Sequence, residues 1–298
     1  MMGALPFEAV LPLKIAGSHY DENLERLRLL FDSLEVFLAL PAPLDICVIC
    51  VPAEVERARE AFAGYRRLAI RFVSEETIVP GIGAHRAIGW YKQQALKLAF
   101  SRHATAPFYL TLDPDIMLCR PLAASDLVRD GRCFTSWMTK AEHPHWWEAS
   151  GRVLGVVPTP ATRGLNVTPN MLATEAVRAL GDDLAARLAA PDPWLALLDV
   201  QERWTEYTLY SVFAEATGAL ARLHRDDLPD GRRLLGRSVW TPANFENYSL
   251  IDIHEDPAGA FFSVCASHTM VPAATLRVML EDLIDRAGSL AAPMEVAD

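Results

Sequence analysis

The chain has 298 residues, enough to bury a large core in one big domain or two small ones. It is 51% hydrophobic and 22% charged, the balance of a globular enzyme rather than of a disordered or fibrous chain. A formal net charge of −10 argues against a general nucleic-acid binder, which carries a basic stripe. An acidic protein that takes phosphates must therefore recruit local cations, backbone amides or a metal.

The N-terminal "MMGALPFEAVLPLKIAG" has no basic segment ahead of its apolar run and no small-residue cleavage site. It reads as a first strand, 7–15, rather than a signal peptide. No stretch approaches the roughly 20 apolar residues of a membrane span. These features point to the cytoplasm and leave peripheral membrane contact open. Residues 21–40 have helical spacing, with Asp21 as the expected N-cap. "LDICVICVP" is a second strand, "AEVERAREAFAGY" a second helix and "LAIRFVS" a third strand. A helix over 89–102 and a strand over 107–112 follow. Strands alternating with helices of this length predict an α/β fold with a mostly parallel sheet covered on both faces.

The five cysteines lie in apolar surroundings, which suits a reducing compartment. Cys47 and Cys50 form a C-x-x-C, but they sit inside a β-branched run instead of at a helix N-terminus. Residues three apart on a strand point to opposite faces, so buried structural thiols are expected.

Beyond residue 115 the pattern loosens. "CFTSWM" (133–138) looks like a strand, 166–190 runs from an extended piece into a helix, and 201–218 is a helix ended by Gly218. Residues 225–247 read as irregular. "YSLID" and "AFFSVCA" are expected strands, and "AATLRVMLEDLIDRAG" is an amphipathic helix. One domain over 1–290 is expected, with a nucleotide-type half (7–120), a more irregular half (121–290) and a frayed tail (291–298).

Ligands of open parallel sheets bind beyond the carboxyl ends of the strands. Asp113 and Asp115, in "TLDPDIML", stand at that position after the fourth strand. Pro114 biases Asp113 toward an extended conformation and can aim both carboxylates into one crevice. Hard oxygens so placed suit Mg²⁺ or Mn²⁺. A D-x-D also arises by chance roughly once in a chain of this length, so a solvated turn is the alternative. "GIGAHR" (81–86) lacks the third glycine of a dinucleotide fingerprint, and no Walker-type or G-x-S-x-G loop occurs. In "EHPHWWEAS", His143 and His145 flank a proline and lack the i, i+4 geometry of a helical metal pair. Trp146 and Trp147 are adjacent, so both cannot face one core. An acceptor platform and a membrane contact are the two readings for the exposed one.

The ordered pieces "GWYKQQALKL", "FYLTLDPDIMLCRPL", "NVTPNMLAT", "WTEYTLYSVF" and "ASHTM" resemble the nucleotide-sugar-dependent glycosyltransferases of the GT-A fold. The likeness spans roughly residues 7–270 and is closest to a bacterial family of glycosyltransferase-like proteins without settled substrates. It implies a metal-dependent transfer of a sugar from a nucleoside-diphosphate donor to a hydroxyl of a glycan, lipid-linked or small acceptor. Asp113 and Asp115 would then hold the cation, with one of them near the ribose or donor sugar. His268, at the end of the last strand, matches the position of a further metal ligand. Lys92 would pair with a phosphate and Gln93 or Gln94 would hydrogen-bond the base or sugar, two adjacent glutamines pointing about 100° apart on a helix. Lys14 ends the first strand beside the loop that receives the base in this fold, and Ser18 and His19 are weaker candidates there. Asn170 would bind sugar hydroxyls or cap its own turn. Glu206, at a helix start, would act on the acceptor side as general base or binding group, or simply favour the helix dipole. Trp204 and Tyr207 would stack on sugars or pack the core. Two alternatives remain: a nucleotidyltransferase on a related fold, and a non-catalytic glycan- or nucleotide-binding protein.

Overall fold

A computed structural model describes residues 4–16, 22–160, 162–165, 167–225 and 232–291. Four parallel strands, β1 (Phe7–Leu13), β2 (Leu44–Cys50), β3 (Leu68–Ser74) and β4 (Phe108–Thr111), form its centre. With β5 (Ile116–Leu118) belonging elsewhere, the other edge is closed by the antiparallel β6 (Asn170–Ala173), giving the order β6–β4–β1–β2–β3. All seven residues of β1 are buried. A strand can do that only when both faces of its sheet are covered, and an apolar run broken only by Glu8 is the sequence trace of that burial.

Helix α1 (Asn23–Phe37) buries Leu27, Leu30, Phe31, Leu34 and Phe37 at helical spacing and packs on β5 and on the last helix, α6 (Ala273–Ala291). Helix α2 (Gly89–Ala99) packs on β1, and from Gln94 to Ala99 it is buried without interruption. Helix α3 (Pro144–Leu154) lies against α4 (Glu206–Ala216), which ends at Gly218 in the left-handed region with φ 74°.

A second, three-stranded sheet runs β7 (Arg233–Leu235)–β8 (Ala260–Val264)–β5, with β8 antiparallel to β5. The two sheets are joined by the four residues between β4 and β5, which are Leu112, Asp113, Pro114 and Asp115. Leu112 N still donates to Val10 O at 2.9 Å, while Asp115 O already accepts from Cys265 N at 3.0 Å. The D-P-D is thus the crossing from one sheet to the other. One continuous hydrophobic cluster, from Phe7 to Leu283, underlies both.

"YSLID" is not a strand. Helix α5 (Leu250–Glu255) begins there because Ser249 Oγ accepts from Asp252 N at 3.1 Å, a cap that outweighs the β-like composition. Helix α1 starts at Asn23, and the expected cap Asp21 lies outside the described residues, as do Ser18, His19 and residues 292–298. All five cysteines are free and buried, and burial pushes the Cys47 thiol up to about 11 and Cys50 to about 12. Inert packing thiols are the outcome. Among the described residues no helix is long and apolar enough to cross a membrane.

Candidate active site

A cleft of about 1190 Å³ opens at the carboxyl end of β4, between the two sheets and the helices α2 and α4. Asp113, Asp115 and His268 line it on the loop side, and Gln93, Gln94, Lys97 and Glu206 on the helical side.

The helical side is an interior ion-pair network. Lys97 Nζ lies 2.8 Å from Asp113 Oδ1 and 3.0 Å from Glu206 Oε1, and it donates to Thr168 Oγ1 at 3.0 Å. Tyr207 OH bridges Thr168 Oγ1 (2.8 Å) and Thr111 Oγ1 (2.6 Å). Glu206 opens α4 behind the cap Thr205, whose Oγ1 accepts from Thr208 N at 3.1 Å, and its own N–H donates to Gln94 Oε1 at 3.0 Å. Burial works against the Lys97 charge, but Asp113 and Glu206 outweigh it and hold the ammonium well above the ordinary lysine range. Glu206 is raised by burial, against the pull of Lys97. One ammonium serving two carboxylates leaves a net negative site.

The loop side is held by the main chain. Asp115 Oδ2 accepts from Ser267 N at 2.8 Å, and the buried Arg26 donates to Cys265 O at 2.8 Å and to Val271 O, fixing the segment that carries His268. His268 Nε2 donates to Trp240 O at 2.9 Å, which leaves Nδ1 with its lone pair. Burial, then the Asp113 carboxylate, push Asp115 up to about 6. Asp113 Oδ1 faces the Lys97 ammonium at 2.8 Å, and the residue, partly exposed, still lines the cleft. Among the described residues no three His, Cys, Asp or Glu side chains form a ready cation cluster. Asp113, Asp115 and His268 nevertheless line one side of the cleft, and carboxylate oxygens with an imidazole nitrogen are ligand types that divalent cations take.

Other expected residues stand elsewhere. Lys92 is on α2 but donates to Gly83 O at 3.1 Å, away from the cleft, because a helix turns 100° per residue and Lys97 shares the face of Gln93 and Gln94 instead. Lys14 is exposed at the end of β1 and does not line the cleft. Asn170 is fully buried behind it, where its amide accepts from Ser136 N and donates to Ser136 O, both at 3.3 Å. Trp204 and Tyr207 are core residues. His143 stacks on Trp146 at 4.2 Å, Trp147 is buried, and "GIG" is a turn whose Gly81 and Gly83 N–H groups donate to Glu76 at 2.6 and 2.8 Å.

Lys97 is a charged cleft residue absent from the expectations drawn from the sequence. Its signal was a lysine inside the apolar run "ALKLAF", a position where a cation survives only with buried partners.

Over residues 6–288 the sequence matches the model of a family described as of unknown function, DUF6492. The chain belongs to that family. No curated protein matches it. This DUF6492 member is similar in structure to apo mouse xyloside xylosyltransferase 1, at 13% identity and a TM-score of 0.51, over 89% of this chain and 100% of that one. It is also similar to an active-site mutant of the galactosyltransferase LgtC, at 10% identity and a TM-score of 0.50, over 95% of each chain. At these identities the likeness shows the fold, which is GT-A.

Proposed function

We propose that this DUF6492 protein is a metal-dependent glycosyltransferase, moving a sugar from a nucleoside-diphosphate donor to a hydroxyl of a glycan, lipid-linked or small acceptor. One observation carries the reading: a single cleft beyond the parallel strands gathers Asp113, Asp115 and His268 opposite Gln94, Lys97 and Glu206. The likeness in fold to a xylosyltransferase and a galactosyltransferase supports it.

Asp113, Asp115 and His268 Nδ1 would hold Mn²⁺ or Mg²⁺. A cation held by these residues would supply Lewis-acid chemistry, offsetting negative charge on the departing diphosphate. Transfer breaks the bond from the anomeric carbon to the diphosphate oxygen and forms one to the acceptor oxygen, whose proton must leave. Glu206 is the group for that proton, because burial makes its carboxylate more basic than an exposed glutamate. Lys97 fixes the Glu206 carboxylate against Asp113, so the acceptor-side group keeps its place relative to the donor side. Gln94 holds the start of α4 by accepting from Glu206 N, and Gln93 lines the cleft where it can meet a sugar hydroxyl.

A thermal-shift panel of UDP, GDP, CDP and dTDP sugars, with and without Mn²⁺, tests the reading. Ligand at 100 times its dissociation constant adds about 2.7 kcal/mol to apparent stability. At least one donor should raise the melting temperature only when Mn²⁺ is present. A flat response to every donor would remove the basis for the assignment.

A further inference from the structure

One wall of the cleft is aromatic and has no role in the chemistry above. Trp90, on the first turn of α2, is 43% exposed and lines the cleft. It stands four and seven residues before Gln94 and Lys97, so all three share a helix face. The edge of Trp90 is braced by Tyr91, T-shaped at 5.0 Å, and by Trp146, tilted at 6.3 Å. Trp146 in turn carries His143 stacked at 4.2 Å with ring planes 25° apart. Three rings from the starts of two helices, Trp90, Trp146 and His143, are therefore grouped on one wall of the cleft.

We propose that Trp90, backed by the Trp146–His143 stack, is a sugar-binding platform, and that the acceptor is a carbohydrate whose pyranose ring lies on it. The proposal rests on the glycosyltransferase reading for the word acceptor, though not for the binding itself. A pyranose ring has a face of C–H groups and an equator of hydroxyls. It needs a flat aromatic surface with hydrogen-bonding groups around it. Gln93, Thr139 and Glu142 line the same cleft beside these rings and supply that rim. The aromatic rings belong to α2 and α3, the helices that pack on α4 and its Glu206, so a sugar seated there presents its hydroxyls on the acceptor side.

Charge separates this occupant from a lipid surface. Docking on anionic lipid takes a cluster of exposed Lys or Arg. Here Glu142 and Glu148, both exposed, flank Trp146, Lys140 is buried in an ion pair with Glu215, and the exposed Arg163 opposite Thr139 is outnumbered by these acids. The chain as a whole carries −10.

The test is direct binding. Gluco-, galacto- and manno-configured di- and trisaccharides are titrated against the wild type, Trp90→Ala and Trp90→Phe. Tryptophan fluorescence and saturation-transfer NMR are read with and without Mn²⁺ and nucleoside diphosphate. Co-sedimentation with phosphatidylglycerol vesicles is a second arm. At least one saccharide should bind the wild type, Trp90→Ala should weaken it about tenfold, and Trp90→Phe should restore binding to within about threefold. Absence of saccharide binding under every condition would overturn the proposal, as would equal affinity in Trp90→Ala. So would vesicle binding that depends on Trp90 and is not competed by sugars. The donor panel is read separately on the wild type. Saccharide binding without any donor shift leaves the platform standing and removes the transferase reading, and the reverse result removes the platform alone.

Discussion

On the helical wall of the cleft, Lys97 is buried and surrounded by three oxygen partners; on the loop wall, Asp115 is held by a main-chain N–H and His268 is exposed, held by a main-chain carbonyl. The first wall is satisfied by its own side chains, so it is rigid in the unliganded protein. The second is anchored through main-chain hydrogen bonds to Asp115 and His268 rather than through ion pairs. Buried carboxylates at the end of a sheet are costly unless paired. Here Lys97 pairs Asp113 and Glu206, whereas Asp115 is met by the Ser267 N–H.

Breaking the satisfied wall should have the largest effect. Lys97→Met leaves Asp113 and Glu206 without their shared cation, and the expected loss is about 3–5 kcal/mol in urea unfolding. A loss below about 1 kcal/mol would mean that the network contributes no rigidity.

The next effect lies just behind that wall and depends on pH. His224 Nε2 meets Tyr210 OH at 2.6 Å, and its Nδ1 meets Thr135 Oγ1 at 2.6 Å, with Thr135 facing the cleft. Burial pulls its pKa down to about 3. The unfolded chain takes up the proton first, so this contribution to stability is present above pH 6.5 and lost as the pH falls toward 3. The wild type should lose about 2 kcal/mol from this group by pH 5. His224→Gln should show a shallower decline between pH 6.5 and 4, and identical slopes would contradict the assignment.

Smallest is Tyr207→Phe, which removes the hydroxyl joining Thr111 to Thr168. Chemical denaturation should report about 1–2 kcal/mol, with Mn²⁺-dependent donor binding retained. If that variant instead lost donor binding, the helical wall would be holding the donor and the contrast between the walls would fail.

The contrast also explains what the sequence made visible. Alternating strands and helices placed Asp113 and Asp115 at the end of β4, because strand order and helix period are local signals. The position of His268 after the last strand brings it to the cleft. Lys97 was missed and Lys92 chosen because a cation's partners, Glu206 and Thr168, stand 109 and 71 residues away in the chain. Asn170 follows a proline like a ligand-facing turn residue, yet its amide holds the main chain of Ser136, which local sequence does not encode. In "YSLID" the tyrosine and leucine suggested a strand, and one serine cap decided otherwise. Local patterns gave the scaffold and the loop wall, while long-range pairing made the helical one.

The central claim is that the loop wall is the cation and diphosphate grip, and Asp115→Ala tests it most directly. Titration calorimetry with the nucleotide sugar selected by the donor panel, in Mn²⁺, should show binding by the wild type and none by the variant. The melting temperature of the ligand-free variant should stay at or above that of the wild type, since a buried carboxylate raised to about 6 has been removed. Donor binding at wild-type affinity in a folded Asp115→Ala protein would contradict the account.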